Sequence, residues 1–219
     1  MKNRRLPLVV GVNSEGNLVP ILRAKRGLKC KCICPACGAR LSAKRGKIMT
    51  HHFAHYRVDE CDGAVETALH RFAKAVLHFH RSIKLPPVFA RGITKPLLLA
   101  REHGYQDSAE EVGLKGFVAD IVLYNGAEKL IIELKVTHEV DDHKQRVFLR
   151  SGISSLEIDV LAIFEELSQE GRSSDTTALA KRIIGFGGRE GGMAVHGRWL
   201  FPPRQHNAEY QRRTAKNSG

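Results

Sequence analysis

The apolar positions of this chain change period several times, and each change marks an element. Residues 6–12 and 17–22 are short apolar runs separated by Asn13-Ser-Glu-Gly16, which predicts a β-hairpin. Over residues 63–83, Val65, Leu69, Phe72, Val76, Leu77, Phe79 and Ile83 recur close to helical spacing, and Pro86-Pro87 stops the helix. Residues 84–111 are mixed, with short strands expected at 88–89 and 97–99. Residues 114–124 and 129–137 read as two strands joined by the tight-turn dipeptide Asn125-Gly126, an antiparallel hairpin. A helix over 139–150, closed by Ser151-Gly152, precedes a strand over 155–164 and a short helix over 176–184. No internal repeat is visible. This order predicts an α/β fold: a mixed sheet flanked by helices, with a small module in front of it.

Length and charge refine that outline. A chain of 219 residues holds one sizeable domain with a small appendage. We read residues 1–61 as a basic hairpin plus metal-binding module, 62–200 as the main domain, and 201–219 as a basic, partly disordered tail. No apolar run approaches the ~20 residues of a membrane span, and the N-terminal apolar stretch is too short for a signal peptide. A cytoplasmic protein with no membrane partner is expected; homo-oligomerisation stays open. Of the net charge of +12, residues 1–55 supply +11, from twelve Lys/Arg against the single acid Glu15. Such a patch suits a polyanion, with nucleic acid the default partner, and the same patch also serves as a solvated face.

Four of the five cysteines fall between Cys30 and Cys37, a crowding that points to metal rather than disulfides. Cys34-Pro-Ala-Cys37-Gly is a zinc-knuckle turn, and His52-Phe-Ala-His55 supplies a second pair, so Cys34, Cys37, His52 and His55 are the expected ligands of a structural Zn²⁺. Cys30, Cys32, His51 and Cys61 are near enough to substitute. Around them Arg23, Lys25, Arg26, Lys31, Arg40, Lys44, Arg45 and Lys47 are the expected phosphate contacts, gripping the backbone with little base stacking.

A second constellation lies in the central hairpin. Asp120 stands in Phe117-Val-Ala-Asp-Ile-Val-Leu, and Glu133 and Lys135 in Leu130-Ile-Ile-Glu-Leu-Lys-Val. Alternation puts Glu133 and Lys135 on one face. Charges inside apolar runs are costly unless they pair or bind a metal. Asp120 and Glu133 offer hard oxygen ligands for Mg²⁺ (or Mn²⁺), and Lys135 can orient a water or stabilise phosphate charge. A buried ion pair that fixes strand register explains the same residues. On the preceding helix Glu66, His70 and Lys74 share a face at i, i+4 and i+8; Glu66 could reach the metal and His70 carry a proton, or the three could form a solvated stripe. Gly185-Phe-Gly-Gly-Arg-Glu-Gly-Gly192 lacks the Lys-Ser/Thr of a phosphate-binding loop and reads as a flexible loop. His196, Arg198 and Trp199 read as packing residues.

Together, Glu66-Thr-Ala-Leu-His70-Arg-Phe-Ala-Lys74, Ala119-Asp120-Ile, Ile132-Glu133-Leu-Lys135-Val-Thr-His138, Lys144 and Leu156-Glu157-Ile-Asp159, with the CPxCG…HFAH element, resemble the CoiA-like competence-protein nuclease family of the PD-(D/E)xK superfamily. The resemblance spans roughly residues 25–165. It implies a restriction-endonuclease-like fold and a Mg²⁺-dependent deoxyribonuclease, with Asp120 and Glu133 as metal ligands, Lys135 as catalytic lysine, Glu66 as accessory acid, and His138 and Lys144 at recurrent polar positions. Many members carry Gln where Lys135 stands. Two other classes remain: a catalytically silent DNA-binding protein of recombination, uptake or phage defence, and a zinc module for protein partners.

Overall fold

A computed structural model describes residues 6–89, 94–114, 116–137, 140, 142–185 and 196–203. In chain order its strands and α-helices are β1 (Val10–Val12), β2 (Leu18–Pro20), β3 (Leu41–Lys44), β4 (His52–His55), α1 (Ala64–His80), β5 (Ser82–Leu85), β6 (Arg101–Gly104), β7 (Asp107–Leu114), β8 (Phe117–Asn125), β9 (Glu128–Lys135), α2 (Asp142–Ser151), β10 (Ser154–Asp159), α3 (Val160–Gln169), α4 (Thr176–Gly185) and β11 (Gly197–Phe201). The fold is the mixed α/β arrangement that the sequence predicts. No described helix is long and apolar enough to cross a membrane. The chain divides into two compact units, one from residues up to 73 and 160–181, the other from 74–159 and 182 onward.

The first unit is built on short hairpins. β1 pairs antiparallel with β2, and the Asn13 side chain closes the turn by accepting from the Glu15 and Asn17 amides (3.0 and 2.9 Å). β3 pairs antiparallel with β4, Leu41 opposite His55 and Lys44 opposite His52. Val10, Val12, Ile21, Leu41 and Phe53 are buried. Gly11 suits this close packing, because a Cβ would approach Cys32 Cβ at 3.1 Å and Leu41 Cδ1 at 3.2 Å and both would have to give by a few tenths of an ångström. The expected strand over 155–164 ends at Asp159 instead. Val160, Ile163, Phe164 and Leu167 are buried at i, i+3, i+4 and i+7, so the apolar run changes from a period of two to a helical one at α3.

The second unit carries a five-stranded sheet in the order β11-β10-β9-β8-β7, parallel only between β10 and β9. In the β8–β9 hairpin Asn125 pairs with Glu128, so the two-residue loop is Gly126-Ala127 and not the Asn-Gly dipeptide itself. Gly126 has φ 59° while Ala127 is not among the residues of positive φ, the pattern of a II′ turn that matches strand twist. Helix α1 stops short of the expected residue 83. Arg81 adopts φ 49°, its amide bonds to the Leu77 carbonyl (2.9 Å), and Ile83 is buried in β5. Phe79 is correspondingly off the buried face, 78% exposed. The expected short strands at 88–89 and 97–99 reduce to one bridge, Val88 to Leu98.

One face of the sheet packs Ala119, Val122, Ile131 and Leu200 around Phe148 of α2, with Phe117 and Tyr124 at the border. Positions 117 and 119 share that cluster with 122 and 124, so alternation changes phase once between Ala119 and Val122. Asp120 falls at this change. Its neighbours Ala119 and Ile121 pair with Val112 and Glu110 of β7, and the residue between those two, Glu111, has φ 51°. Irregularities of this kind re-aim one side chain out of a regular ladder. The tail from 204 and the glycine-rich stretch from 186 to 195 lie outside the described residues.

Phe148 is wholly buried and central to its cluster. Phe148→Ala is expected to destabilise the protein by about 3–5 kcal/mol, read as a lowered midpoint in urea unfolding; a change below about 1 kcal/mol would show that the cluster does not hold the sheet.

Candidate functional site

The cysteine–histidine cluster forms where two turns meet a strand. Gly38, at φ 72°, lets its amide reach the Cys34 carbonyl (3.0 Å), while the Cys34 amide bonds to the Ala39 carbonyl (2.8 Å). This closes Cys34–Cys37 into a knuckle. Strand β4 delivers His55, and Cys61 arrives three residues before α1 begins. One ligand atom each from Cys34, Cys37, His55 and Cys61 lies within 4.8 Å of all the others. Cys34 Sγ and Cys61 Sγ are 3.7 Å apart, and Cys37 Sγ and His55 Nε2 3.2 Å.

Those edges can be tested against a tetrahedron. Zn–S bonds of about 2.3 Å and Zn–N bonds of about 2.0–2.1 Å require S···S near ~3.7 Å and S···N near ~3.6 Å. The sulfur edge fits and the sulfur–nitrogen edge is a few tenths short. The outer shell fits too. His55 Nδ1 lies 2.7 Å from Glu60 Oε2, and the His55 amide donates to Glu60 Oε1 (3.1 Å), which fixes the ring with Nε2 toward the sulfurs. Burial lowers the His55 pKa, but the Glu60 carboxylate and Cys37 outweigh it and raise it overall. The Ala39 amide and the His55 ring, against burial, bring the Cys37 thiol down to about 7, toward the thiolate a metal needs. The cluster can hold a zinc ion.

Three of the four expected ligands are brought together, and His52 is not. In a strand, residues three apart point to opposite faces. Phe53 and His55 are buried, while His52 faces the other way and bonds through Nδ1 to the Thr50 carbonyl (2.8 Å). The spacing H-x-x-H suggests a ligand pair only until β4 is recognised as extended. Cys61 takes the place instead. Cys30 and Cys32 bond to the Leu41 and Cys30 carbonyls (3.4 and 3.3 Å), and burial pushes the Cys32 thiol up to about 12. Of the expected phosphate contacts, Arg23, Lys25, Arg26, Lys31, Arg40, Lys44 and Lys47 are exposed. Arg45 is half-buried, and its Nη1 donates to the Ala24 carbonyl (2.6 Å), a bracing role.

The second cluster lies in the sheet. Glu133 is opposite Glu157 and Lys135 opposite Asp159 in the β9–β10 register. Lys135 Nζ bonds to Asp159 Oδ2 at 2.8 Å, and Arg198 Nε to Glu157 Oε1 at 2.6 Å. Asp120 Oδ2 accepts from the Leu134 amide (2.9 Å), which places it beside Glu133. Lys74 is 95% buried; it pairs with Glu111 and stands 3.8 Å from Asp120 Oδ1. It is therefore part of this cluster and not of a solvated stripe. Glu66 and His70 are half-buried on the part of α1 that belongs to the first unit. His138 lies outside the described residues.

Glu133 is the unusual member. It is 3% exposed, its Oε2 accepts from Lys144 Nζ (2.5 Å), and its buried Oε1 has no hydrogen-bond partner. Burial raises its pKa to about 7; Lys144 opposes this and the Asp120 charge adds to it. An orphaned carboxylate oxygen next to a second carboxylate is a donor set that fits a hard divalent cation. Sequence reasoning placed Asp120, Glu133 and Lys135 here, and the resemblance named Lys144. Neither predicted that Lys74 would be buried or that Asp159 would pair with Lys135.

Two measurements check these geometries. Zinc retention by chromogenic-chelator competition is expected to fail in Cys61→Ser, to survive in His52→Ala, and to weaken about 10–100-fold in Glu60→Ala; loss in His52→Ala with retention in Cys61→Ser would reverse the ligand assignment. For Glu133 in magnesium-free protein, the folded pKa lies above the ordinary value of 4.5. As pH rises the unfolded chain ionises first, so stability falls across pH 4.5 to 7, by up to about 3 kcal/mol. Urea unfolding at pH 5.5 and 8 is expected to show this decline in the wild type and a smaller one in Glu133→Gln. Equal declines would refute it.

Comparison of the chain with curated proteins and with solved structures gives no significant match. A family model matches one part of it: residues 21–64, which contain β3, β4, Cys34, Cys37, His55 and Cys61, are similar to the N-terminal domain of competence protein CoiA.

Proposed function

We propose that this chain is a metal-dependent nuclease that hydrolyses DNA phosphodiesters, with the sheet of the second unit as its active site and the basic N-terminal module as its grip. The observation that carries the reading is the orphaned, buried Oε1 of Glu133 next to Asp120. Asp120 and Glu133 would hold Mg²⁺ or Mn²⁺, which supplies charge neutralisation at the phosphate and a more acidic water. Lys135, two residues along β9, is within reach of the same face; leaving Asp159, it would orient the attacking water or meet phosphate charge. Lys144 neutralises Glu133 and keeps its Oε2 oriented. Lys74, bonded to Glu111, adds positive charge 3.8 Å from Asp120 Oδ1. The match to a competence-protein domain supports a setting in DNA handling during competence, although it covers only the zinc-bearing segment.

A second reading draws on a different observation. Lys74, Lys135 and Lys144 each already have a carboxylate partner, which is how a silent, structural sheet would compensate its charges. One assay separates the two. Wild type and Asp120→Ala, both zinc-replete, are incubated with single- and double-stranded DNA plus Mg²⁺ or Mn²⁺. Metal-dependent cleavage that falls by about 100-fold or more in the variant is expected. Equal and negligible cleavage by both proteins would overturn the nuclease reading in favour of a DNA-binding one.

A further inference from the structure

The loop between β3 and β4 ends in an apolar tip. Ile48 is 98% exposed and Met49 69%. Turn tips in water ordinarily carry Gly, Asn, Asp or Ser, and single exposed apolar residues are common elsewhere. Two features of this loop make the adjacent pair more than incidental. The first is bracing. Arg45 donates to the Ala24 carbonyl (2.6 Å) at the base of the loop, the His51 ring meets the Gly46 carbonyl (3.1 Å) across it, and the His52 ring bonds to the Thr50 carbonyl (2.8 Å). Gly27 and Ala43 exchange backbone hydrogen bonds beneath it (3.0 and 3.2 Å). The tip is thus presented on a frame. The second is charge. Lys44, at the end of β3, and Lys47, next to Ile48, are exposed on the segment that leads into the tip, and no acidic residue occurs between Glu15 and Asp59.

We propose that Ile48 and Met49 form a wedge that the β3–β4 hairpin inserts between adjacent DNA bases while Lys44 and Lys47 rest on the flanking phosphates. This rests on the reading of DNA as partner and deepens it by naming how the module makes contact. An apolar wedge of one or two side chains is enough to part a base step, and the bent or opened strand then meets more of the cationic surface. The mode is tolerant of sequence, because every step has a stack to open. Met49 is unbranched and adapts to an irregular gap. A lipid surface is a poorer match: Lys44–His51 contains none of the aromatic side chains that anchor proteins at bilayer interfaces, and two aliphatic side chains bury little area there.

The test uses zinc-replete full-length protein without Mg²⁺, so that cleavage does not intervene, and DNA carrying 2-aminopurine, whose fluorescence rises when it unstacks. Wild type is expected to bind and raise the fluorescence. Ile48→Ser/Met49→Ser is expected to lose about tenfold or more in affinity at every salt concentration, with an unchanged salt slope and no fluorescence rise. Lys47→Ala is expected to reduce the slope by about 0.9 and to retain the rise at saturation. Unchanged zinc content in both variants establishes that the module is folded. Binding by the double variant as tight as wild type, or wild-type binding without a fluorescence rise, overturns the wedge and leaves the nuclease reading to its own cleavage assay. No binding by wild type removes DNA as partner and the wedge with it. Capture by anionic vesicles that depends on Ile48 and Met49, without base unstacking, reassigns the tip to lipid and also overturns the proposal. Failure of cleavage with the wedge intact would count against the nuclease reading alone.

Discussion

Two buried carboxylates stand side by side on the inner strands of the second unit, and their neutralisation sets what surrounds them. Glu133 and Glu157 face one another across the parallel β9–β10 pair, each almost wholly out of water. The cations come from other elements: Lys144 from α2 to Glu133, and Arg198 from β11 to Glu157, whose other oxygen accepts from the Val140 amide. The electrostatic demand of β9 and β10 thus fixes both the helix over the sheet and the edge strand that ends it. Phe148, one turn along α2 from Lys144, then fills the apolar space beside the pair. A sheet of aliphatic residues alone would specify neither attachment.

That demand is met incompletely at Glu133 and fully at Glu157. Under the nuclease reading proposed above, this asymmetry between neighbours of identical chemistry would make Glu133 a ligand and Glu157 a strut. Glu157 has a guanidinium on one oxygen and an amide on the other; Glu133 has an ammonium on Oε2, and its buried Oε1 has no hydrogen-bond partner. The raised pKa of Glu133 follows from the same geometry.

The sequence was most legible where one periodicity ran without interruption. The β8–β9 hairpin, the start of α1 and the knuckle of Cys34 and Cys37 followed from spacing alone. Misreadings arose where two periods abut. Val160–Phe164 continues an apolar strand in composition but turns helical, and Ile83 continues a helical stripe but sits in β5. His52 failed for a related reason: ligand spacing was read without the secondary structure that decides which faces two residues share. Asp159 and Lys74 were undervalued because their partners lie across strands or on another element, and a linear pattern carries no trace of register. The restriction-endonuclease-like fold is what the resemblance implies, and the segment with the Cys34, Cys37, His55 and Cys61 cluster is the part a family model matches.

Cys61 has a double attachment. Its sulfur belongs to the cluster that can hold a zinc ion, and its carbonyl accepts from the Ala64 amide (3.3 Å) where α1 begins. Nucleating a helix is its costliest step, because several dihedrals are fixed before the first repeating bond forms. A metal that immobilises Cys61 supplies part of that order in advance. The first turns of α1, which carry Glu66 and His70, would then be only as well formed as the site is occupied. Zinc supply would then act on this protein as a folding cofactor of a helix that contains none of its ligands.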